Sequence, residues 1–217
     1  VTTRRTCDGC AATNNATISP LPYYEEVLRR DPLDSRANTR LGMIYCMRGD
    51  FKKAMGYLDQ ALTRLTKDYT TPKEGEAFYY LGVACQFAGE PARANDAFWK
   101  ATWYTEYRMP AYYALARMAC TEKKYDKALG LIDAAIESNS RHIGALTLKA
   151  FILRKMGKTE EALALAGGIR ALDPLDYWGT AEGMFSPLSA NRKTLQDQYR
   201  KILAGKDQDL LNVAIEY

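Results

Sequence analysis

The sequence predicts an all-α protein, a solenoid of stacked antiparallel helix pairs, and three observations lead to this prediction. Small residues recur at a constant spacing in successive stretches of about 34 residues. In each stretch, apolar residues recur every three or four positions on both sides of a turn, which is the pattern of two helices. The tetrapeptide DPLD occurs at 31–34 and again at 173–176. One helix pair cannot bury its apolar face alone, so neighbouring pairs are expected to stack.

The register of the repeat follows from three small positions separated by 12 and then 7 residues. These positions hold Gly42, Ala54 and Ala61; Gly82, Ala94 and Ala101; Ala116, Ala128 and Ala135; and Ala150 and Ala162, followed by Ile169. They define four units at 35–74, 75–108, 109–142 and 143–176. The first unit is six residues longer than the others, and the extra length falls in its polar TKDYTTPKEG segment.

Residues 1–19 are expected to be a flexible leader, because they are rich in Thr and Asn and lack an apolar run. Cys7 and Cys10 form a lone C-x-x-C in this leader. Zinc sites need a second such pair and haem attachment needs a following His, and the sequence has neither. We interpret the two cysteines as an incidental pair, and whether they bond to each other stays open. Residues 20–34 have the pattern of a second helix alone, which is half a repeat.

Each of the four units predicts a turn between its two helices. Gly49, Gly89 and Gly157 occupy the turn position in three units, whereas the third unit has Lys123 there and is expected to turn less ideally. Large apolar residues are expected to fill the space between the paired helices, namely Leu41, Tyr45, Leu58, Leu81, Phe98, Leu115, Ile132 and Leu153.

The regular pattern ends after residue 176. Gly183 and Pro187 replace the Leu and the aromatic residue that the repeat would have there. Residues 177–206 are therefore predicted to be an irregular connector with a helix at 192–204. Residues 207–217 have the spacing of the first helix of a further, truncated repeat. With half a unit at each end, the chain is expected to be a segment of a longer protein.

Composition and charge narrow the functional classes. The 217 residues carry a net charge of +4, with both signs interspersed, so neither nucleic acid nor a membrane is expected as a partner. No stretch has the length and apolarity of a membrane-spanning helix or a signal peptide. Three cysteines lie in apolar helical patterns, which suits a reducing compartment, and a cytoplasmic location is expected.

The sequence contains no recognisable catalytic motif. A P-loop, a dinucleotide-binding glycine motif, a nucleophile elbow and a zinc-protease helix are all missing. The single histidine, His142, lies between two units without a partner pattern and is interpreted as a loop residue. We therefore expect neither enzymatic activity nor a cofactor or bound metal.

The repeat resembles the tetratricopeptide repeat family. Leu41, Gly42 and Tyr45 form the L-G-x-x-Y pattern, and the closing Asp173 and Pro174 also fit. This resemblance implies a right-handed superhelix whose concave groove is lined by the first helix of each unit. More narrowly, the chain is similar to the helical part of uncharacterised bacterial proteins that pair a mutarotase-like β domain with such an array.

The resemblance also implies a set of groove residues, at the second, fifth, ninth and twelfth positions of the units. They are Arg36, Thr39, Met43, Cys46, Glu76, Tyr79, Val83, Gln86, Tyr113, Arg117, Cys120, Thr147, Phe151 and Arg154. Arg117 and Arg154 are expected to hold a carboxylate of a partner together. The three aromatic residues of the set could instead pack between successive first helices.

Trp99 and Trp103 form a possible second surface, which could cover the inserted loop or meet another domain. The function expected from these observations is a non-catalytic scaffold that binds a protein or peptide segment in the groove. The alternative is an accessory helical region that positions a neighbouring β domain in a carbohydrate-associated protein.

Overall fold

The structure, a computed structural model, describes residues 19–67, 72–185 and 192–204, and these ranges contain eleven α-helices and no strand. The helices are α1 (Leu21–Arg30), α2 (Ser35–Met47), α3 (Phe51–Leu65), α4 (Glu76–Ala88), α5 (Pro91–Ala101), α6 (Thr105–Thr121), α7 (Tyr125–Ser138), α8 (Ile143–Lys155), α9 (Thr159–Leu172), α10 (Tyr177–Phe185) and α11 (Arg192–Leu203). The predicted all-α helical-repeat solenoid is confirmed. The predicted helix at 207–217, Cys7, Cys10 and all but the end of the predicted leader lie outside the described residues.

The helices stack in a regular order. The even-numbered helices α2, α4, α6, α8 and α10 each contact the next even-numbered helix, so they form one continuous face. Each odd-numbered helix from α3 to α9 packs against its own partner and against the first helix of the following pair, and α11 packs against its partner α10. None of the helices in the described ranges is both long enough and apolar enough to cross a membrane.

The paired helices approach closely because small residues face large ones. A Cβ atom on Gly82 would lie 2.6 Å from Cδ1 of Phe98, whose side chain is fully buried. In the pair formed by α2 and α3, Gly42 faces Leu58 in the same way. The residues predicted to fill the space between the helices are buried, except that Tyr45 is only half-buried. Small positions thus set the distance between the two helices of a pair.

The turns between paired helices need a left-handed backbone. Gly49, Gly89 and Gly157 have φ of 78°, 82° and 80°, and Lys123 adopts the same region with φ of 59°. A residue with a Cβ atom is strained in this conformation, whereas glycine is not. The third unit therefore has the least favourable turn of the four, as the sequence indicates.

Both DPLD copies cap the helix that follows them. The Asp34 carboxylate accepts a hydrogen bond from the Ala37 N–H at 2.7 Å, and the Asp176 carboxylate accepts one from the Gly179 N–H at 2.5 Å. Each of these aspartates caps the helix that follows it, which satisfies N–H groups that the helix itself cannot pair.

The structure differs from the sequence prediction after residue 176. Residues 177–185, predicted to be irregular, form α10, which packs against α8, α9 and α11. The cap from Asp176 starts this helix. Gly179 then lets it approach α9, since a Cβ atom there would lie 2.7 Å from Cγ2 of Ile169. Gly183 likewise leaves room for the guanidinium of Arg170. The glycines that break the repeat pattern permit close packing, so a fifth helix pair continues the stack.

Candidate functional site

A cavity of about 390 Å³ lies on the face formed by the first helices, where α6, α8 and α10 meet. Its walls are Tyr113, Arg117, Cys120 and Thr121 from α6, Gly144, Thr147, Leu148 and Phe151 from α8, and Trp178 and Glu182 from α10. Three successive helix pairs thus contribute to one site. Five of the residues predicted to line the groove are brought together here, namely Tyr113, Arg117, Cys120, Thr147 and Phe151.

The cavity is open beside Tyr113 because Gly144 has no side chain. A Cβ atom on Gly144 would lie 3.6 Å from the Tyr113 hydroxyl oxygen and 3.2 Å from Cε1 of His142. His142, interpreted from sequence as a loop residue, caps α8. Its Nδ1 accepts a hydrogen bond from the Ala145 N–H at 3.0 Å, and its ring centroid lies 5.8 Å from that of Tyr113. The histidine therefore packs beside the cavity wall.

Arg154 is engaged in a buried ion pair. Its Nε donates to Oε2 of Glu182 at 2.7 Å and its second terminal nitrogen donates to Oε1 at 3.2 Å. The side chains are 19% and 1% exposed. This pair bears on the expectation that Arg117 and Arg154 hold a partner's carboxylate together, because two hydrogen bonds from Arg154 go to Glu182 of the chain itself. The pair connects α8 to α10.

Arg117 remains at the cavity wall, and its side chain is exposed to solvent. Its guanidinium carbon lies 6.0 Å from the centre of the Tyr113 ring, while Arg154 lies 5.4 Å from the centre of the Phe151 ring. Both distances are at or within the reach of cation–π attraction. The aromatic rings of the wall thus lie close to positive charge.

Cys120 is not suited to nucleophilic chemistry. Burial raises the pKa of its thiol to about 11, and the charge of Arg117 opposes this shift only in part. Cys46, at the same repeat position on α2, also has its pKa raised to about 11 by burial. Its thiol donates to the Tyr80 carbonyl oxygen at 3.7 Å. Both thiols are therefore protonated at neutral pH and behave as small apolar groups.

The predicted groove residues of the first two units lie elsewhere and are engaged differently. Glu76 accepts a hydrogen bond from Arg40 at 2.9 Å, which links α4 to α2. Tyr79 stacks on Tyr107 at 5.4 Å and also packs against Phe98 at 5.9 Å. For Tyr79, packing between helices is therefore the interpretation that the structure favours.

The remaining predicted groove residues differ in accessibility. Arg36 is exposed, and Met43, Val83 and Gln86 are half-buried. Thr39 and Thr147 are buried, and their hydroxyls donate to the carbonyl oxygens four residues earlier in their own helices. These two threonines therefore offer no hydroxyl donor to a ligand, although Thr147 still contributes to the cavity wall.

The possible second surface consists of Trp99 and Trp103, which are 38% and 59% exposed. Trp99 meets the ring of Tyr112 edge-on at 6.0 Å. Gly75, the last residue of the TKDYTTPKEG segment, lies directly against the ring of Tyr104.

Sequence reasoning missed Trp178 and Glu182, which form the third wall of the cavity. Both follow the second DPLD copy, in the segment taken to be irregular. Continuing the period of 34 from residue 143 places a unit start at Tyr177, and Trp178 then falls on the second position, one of the groove positions. That register was the signal available in the sequence.

The part of the chain that the structure describes contains no group of three or more His, Cys, Asp or Glu side chains that could hold a metal ion. The cavity combines aromatic surface with the guanidinium of Arg117 and the buried carboxylate of Glu182. Such a site is able to bind a ligand through contact area and charge, which is typical of interaction surfaces.

Two family models match the chain. A tetratricopeptide repeat model matches residues 21–67, and a model described as anaphase-promoting complex, cyclosome, subunit 3 matches residues 104–169. The first covers α1 to α3 and the second covers most of α6 to α9, including two walls of the cavity.

Solved structures share the fold. The chain is similar to MamA, with 24% identity over 71% of this chain and 81% of MamA and a TM-score of 0.62. It is similar to PilF of Pseudomonas aeruginosa, with 18% identity, coverage of 81% and 77%, and a TM-score of 0.65. It is also similar to YrrB, described as a TPR protein with an unusual peptide-binding site, with 16% identity, coverage of 88% and 97%, and a TM-score of 0.62. The tetratricopeptide repeat model matches the first part of the chain, and the solved structures show that the chain shares the helical-repeat fold of these proteins.

Proposed function

We propose that the chain is a non-catalytic scaffold that binds a protein or peptide segment on the face of its first helices, at the cavity between α6, α8 and α10. The observation that carries this proposal is the convergence of aromatic and Arg side chains from three helix pairs on one cavity. The fold neighbour YrrB is itself described as having a peptide-binding site.

The wall composition suits protein recognition. Tyr113, Phe151 and Trp178 offer large, rigid contact surfaces, and Arg117 offers directed hydrogen bonds and charge. Trp, Tyr and Arg are the residue types that contribute most often to the energetic centre of an interface. A volume of about 390 Å³ also falls within the range of pockets that bury a ligand's side chains.

The rest of the face extends the proposed surface. Because α2, α4 and α6 contact one another in sequence, Arg36, Met43, Glu76 and Gln86 lie on the same succession of helices as the cavity. We assign these residues to the flanks of the binding segment, where contacts exclude water and contribute less free energy than the centre.

The test is a selection of binders from a random peptide library displayed on phage, followed by affinity measurement with purified variants. Phe151→Ala and Arg117→Ala should each weaken the selected peptides by ~10-fold or more, as expected for residues at the centre of an interface. Lys127→Ala is the matched control, because Lys127 is an exposed cation on α7, outside the cavity.

Melting temperatures of the variants separate lost binding from lost folding. Selected peptides that bind all three variants as tightly as the parent chain would contradict the groove assignment. Arg154 is unsuitable for this test, because its removal would also take two hydrogen bonds from the buried Glu182 carboxylate and so affect folding.

A second proposal concerns the alternative function, an accessory helical region that positions a neighbouring β domain. The exposed indoles of Trp99 and Trp103 favour it, since exposed aromatic surface is common where domains meet. In a longer gene product, Trp103→Ser should then increase protease cleavage between the two domains. An unchanged cleavage rate would count against this role.

A further inference from the structure

We infer that the cavity between α6, α8 and α10 binds one uncharged aromatic side chain of the peptide segment, and that Gly144 sets the size of the side chain that fits. This inference rests on the proposed function, because it names the chemistry of the segment that the same site would bind. It is carried by the missing side chain at residue 144, by the rings of the wall and by the internal hydrogen bonds of the wall's hydroxyl groups.

Gly144 differs from the residues at the same repeat position. It is the second residue of its unit, and the second residues of the other units are Arg36, Glu76, Pro110 and Trp178. Each of these has a side chain, and that of Trp178 forms part of the cavity wall one helix pair further along. A Cβ atom on Gly144 would lie 3.6 Å from the Tyr113 hydroxyl oxygen, so even a methyl group would occupy space beside this ring. The missing side chain therefore gives the cavity its room.

Aromatic rings come from all three helices that form the cavity. Tyr113 belongs to α6, Phe151 to α8 and Trp178 to α10. Aromatic pairs that meet edge-to-face or offset gain free energy beyond the area that they bury. The volume of about 390 Å³ lies near the lower end of the range for ligand sites, so it suits one large side chain and not a folded element. A Phe side chain of a bound segment has this size and chemistry.

The hydroxyl groups of the wall donate within their own helix. The Thr121 hydroxyl donates to the Met118 carbonyl oxygen at 2.6 Å. The Thr147 hydroxyl donates to the carbonyl oxygen four residues earlier at 3.0 Å. Burial raises the pKa of the Cys120 thiol to about 11, so this part of the wall is neutral at pH 7. A polar ligand side chain would lose its hydration without gaining these hydroxyl donors, and that loss costs free energy.

The two charged residues of the wall do not favour a charged ligand side chain. The Glu182 side chain is 1% exposed and accepts two hydrogen bonds from Arg154, so a ligand cation would have to disturb this contact. Arg117 is exposed to solvent, and charge pairs in contact with solvent contribute little free energy. Contact with the rings should therefore contribute more to affinity than charge.

The test uses five short synthetic peptides that carry Phe, Val, Ala, Glu or Lys at the centre of the same Gly-Ser sequence. Binding is followed by NMR through the indole N–H signals of the three tryptophans. Trp178 lines the cavity, while Trp99 and Trp103 are outside it and serve as internal controls. Gly144→Ala is the test variant. Gly130→Ala is the matched control, because a Cβ atom on Gly130, in α7, would lie more than 4 Å from every other element that the structure describes.

In the parent chain, the Phe peptide should shift the Trp178 signal and bind ~10-fold more tightly than the Ala peptide, because an aromatic ring buries far more apolar area than a methyl group. The Glu and Lys peptides should bind no more tightly than the Ala peptide.

Gly144→Ala should weaken the Phe peptide ~10-fold, which is the effect of one methyl group on selection in an apolar pocket, while the smaller Val peptide should lose less than ~2-fold. Gly130→Ala should leave both affinities unchanged. Retained binding of the Val peptide shows that the Gly144→Ala site is folded, and melting temperatures should not fall, because Ala is favoured over Gly in a helix.

The outcomes separate this inference from the proposed function. Equal binding of the Phe and Ala peptides, or tighter binding of the Glu or Lys peptide, with a Trp178 shift in each case, would overturn the aromatic preference while leaving a peptide-binding groove. An unchanged affinity of Gly144→Ala for the Phe peptide, or an equal loss in Gly130→Ala, would overturn the role of Gly144. If neither these peptides nor those selected from the library shift the Trp178 signal, both proposals fail.

Discussion

Two tyrosines at the same position of successive repeats have different surroundings. Tyr79 on α4 is enclosed by Tyr80, Phe98 and Tyr107, whereas Tyr113 on α6 lines the cavity. The difference comes from the first helix of the next pair, which is α6 for Tyr79 and α8 for Tyr113. Repeat position alone therefore does not decide whether an aromatic residue packs or faces an open site.

The length of the following helix explains the contrast. Helix α6 begins at Thr105, four residues before the start of its unit at Met109, and this extra turn brings Tyr107 onto the ring of Tyr79. Helix α8 begins at Ile143, where its unit begins, and presents Gly144 to Tyr113. The extra turn of α6 covers Tyr79 with Tyr107, whereas Gly144 leaves the space beside Tyr113 open.

The largest effect is expected from the ion pairs of the two regions. Arg154→Met should lower the free energy of unfolding by about 3–5 kcal/mol, because it removes two charge-assisted hydrogen bonds from a carboxylate that is only 1% exposed. Arg40→Met is the matched change in the first half. It should cost about 1 kcal/mol or less, since the side chains of Arg40 and Glu76 are more exposed.

Urea denaturation of both variants measures this contrast. The double variant Arg154→Met with Glu182→Leu should recover most of the lost stability, because the buried carboxylate is removed together with its Arg154 partner. Equal losses for Arg154→Met and Arg40→Met would show that the Arg154–Glu182 pair has no special energetic role.

The next effect concerns thiol reactivity in the two regions. With the pKa of Cys46 and Cys120 raised to about 11, their thiolate fractions at pH 8 should be on the order of 100-fold below that of an ordinary thiol. Alkylation should therefore be slow at pH 8 and accelerate as the pH rises toward 11. A bound peptide should protect Cys120, which lines the cavity, and leave Cys46 unchanged.

Site-resolved mass spectrometry after alkylation distinguishes the two cysteines from the others. Rapid modification of Cys120 at pH 7 in the folded protein would contradict its burial, and equal protection of Cys46 and Cys120 would place the peptide elsewhere.

The paired tyrosines should separate stability from binding. Tyr79→Ala should cost about 2–3 kcal/mol of unfolding free energy, somewhat less than a fully buried aromatic residue, because Tyr79 is half-buried among other rings. Tyr113→Ala should cost about 1 kcal/mol, since Tyr113 lines the cavity. Only Tyr113→Ala should weaken peptide binding, so a loss of binding in Tyr79→Ala at intact stability would reverse the assignment.

The smallest effect is expected at the turn of the third unit. Lys123→Gly should raise the free energy of unfolding by about 1 kcal/mol, because glycine adopts the left-handed backbone without strain. Gly157→Lys is the reverse change in the fourth unit and should lower stability by a similar amount. Thermal melts of the two variants should shift in opposite directions, and a destabilised Lys123→Gly would contradict this account.

The period of the small residues allowed the fold to be predicted from the sequence. Gly42 and Gly82 face Leu58 and Phe98 because helix pairs of this kind need a small residue opposite a large one, and that requirement repeats along the chain. The irregular assignment after residue 176 failed for the opposite reason. There, Gly179 and Gly183 accommodate particular neighbours, Ile169 and Arg170, which no period predicts.

The site could be predicted in part. Tyr113, Arg117 and Phe151 face the same cavity because the helical period places them on one face of their helices. The ion pair of Arg154 with Glu182 could not be predicted, because it joins residues 28 apart through the packing of α10 on α8. Its existence gives Arg154 a structural contact within the chain, between α8 and α10.

The origin of the third wall has a consequence for how affinity should be measured. Trp178 and Glu182 belong to a different helix pair from the other walls, and helix pairs in a stack can open locally without global unfolding. Each such opening removes the site, so the apparent dissociation constant equals the intrinsic constant divided by the closed fraction. Peptide affinity measured in low urea would therefore report the fraction of molecules in which α10 is packed, while the remaining repeats stay folded.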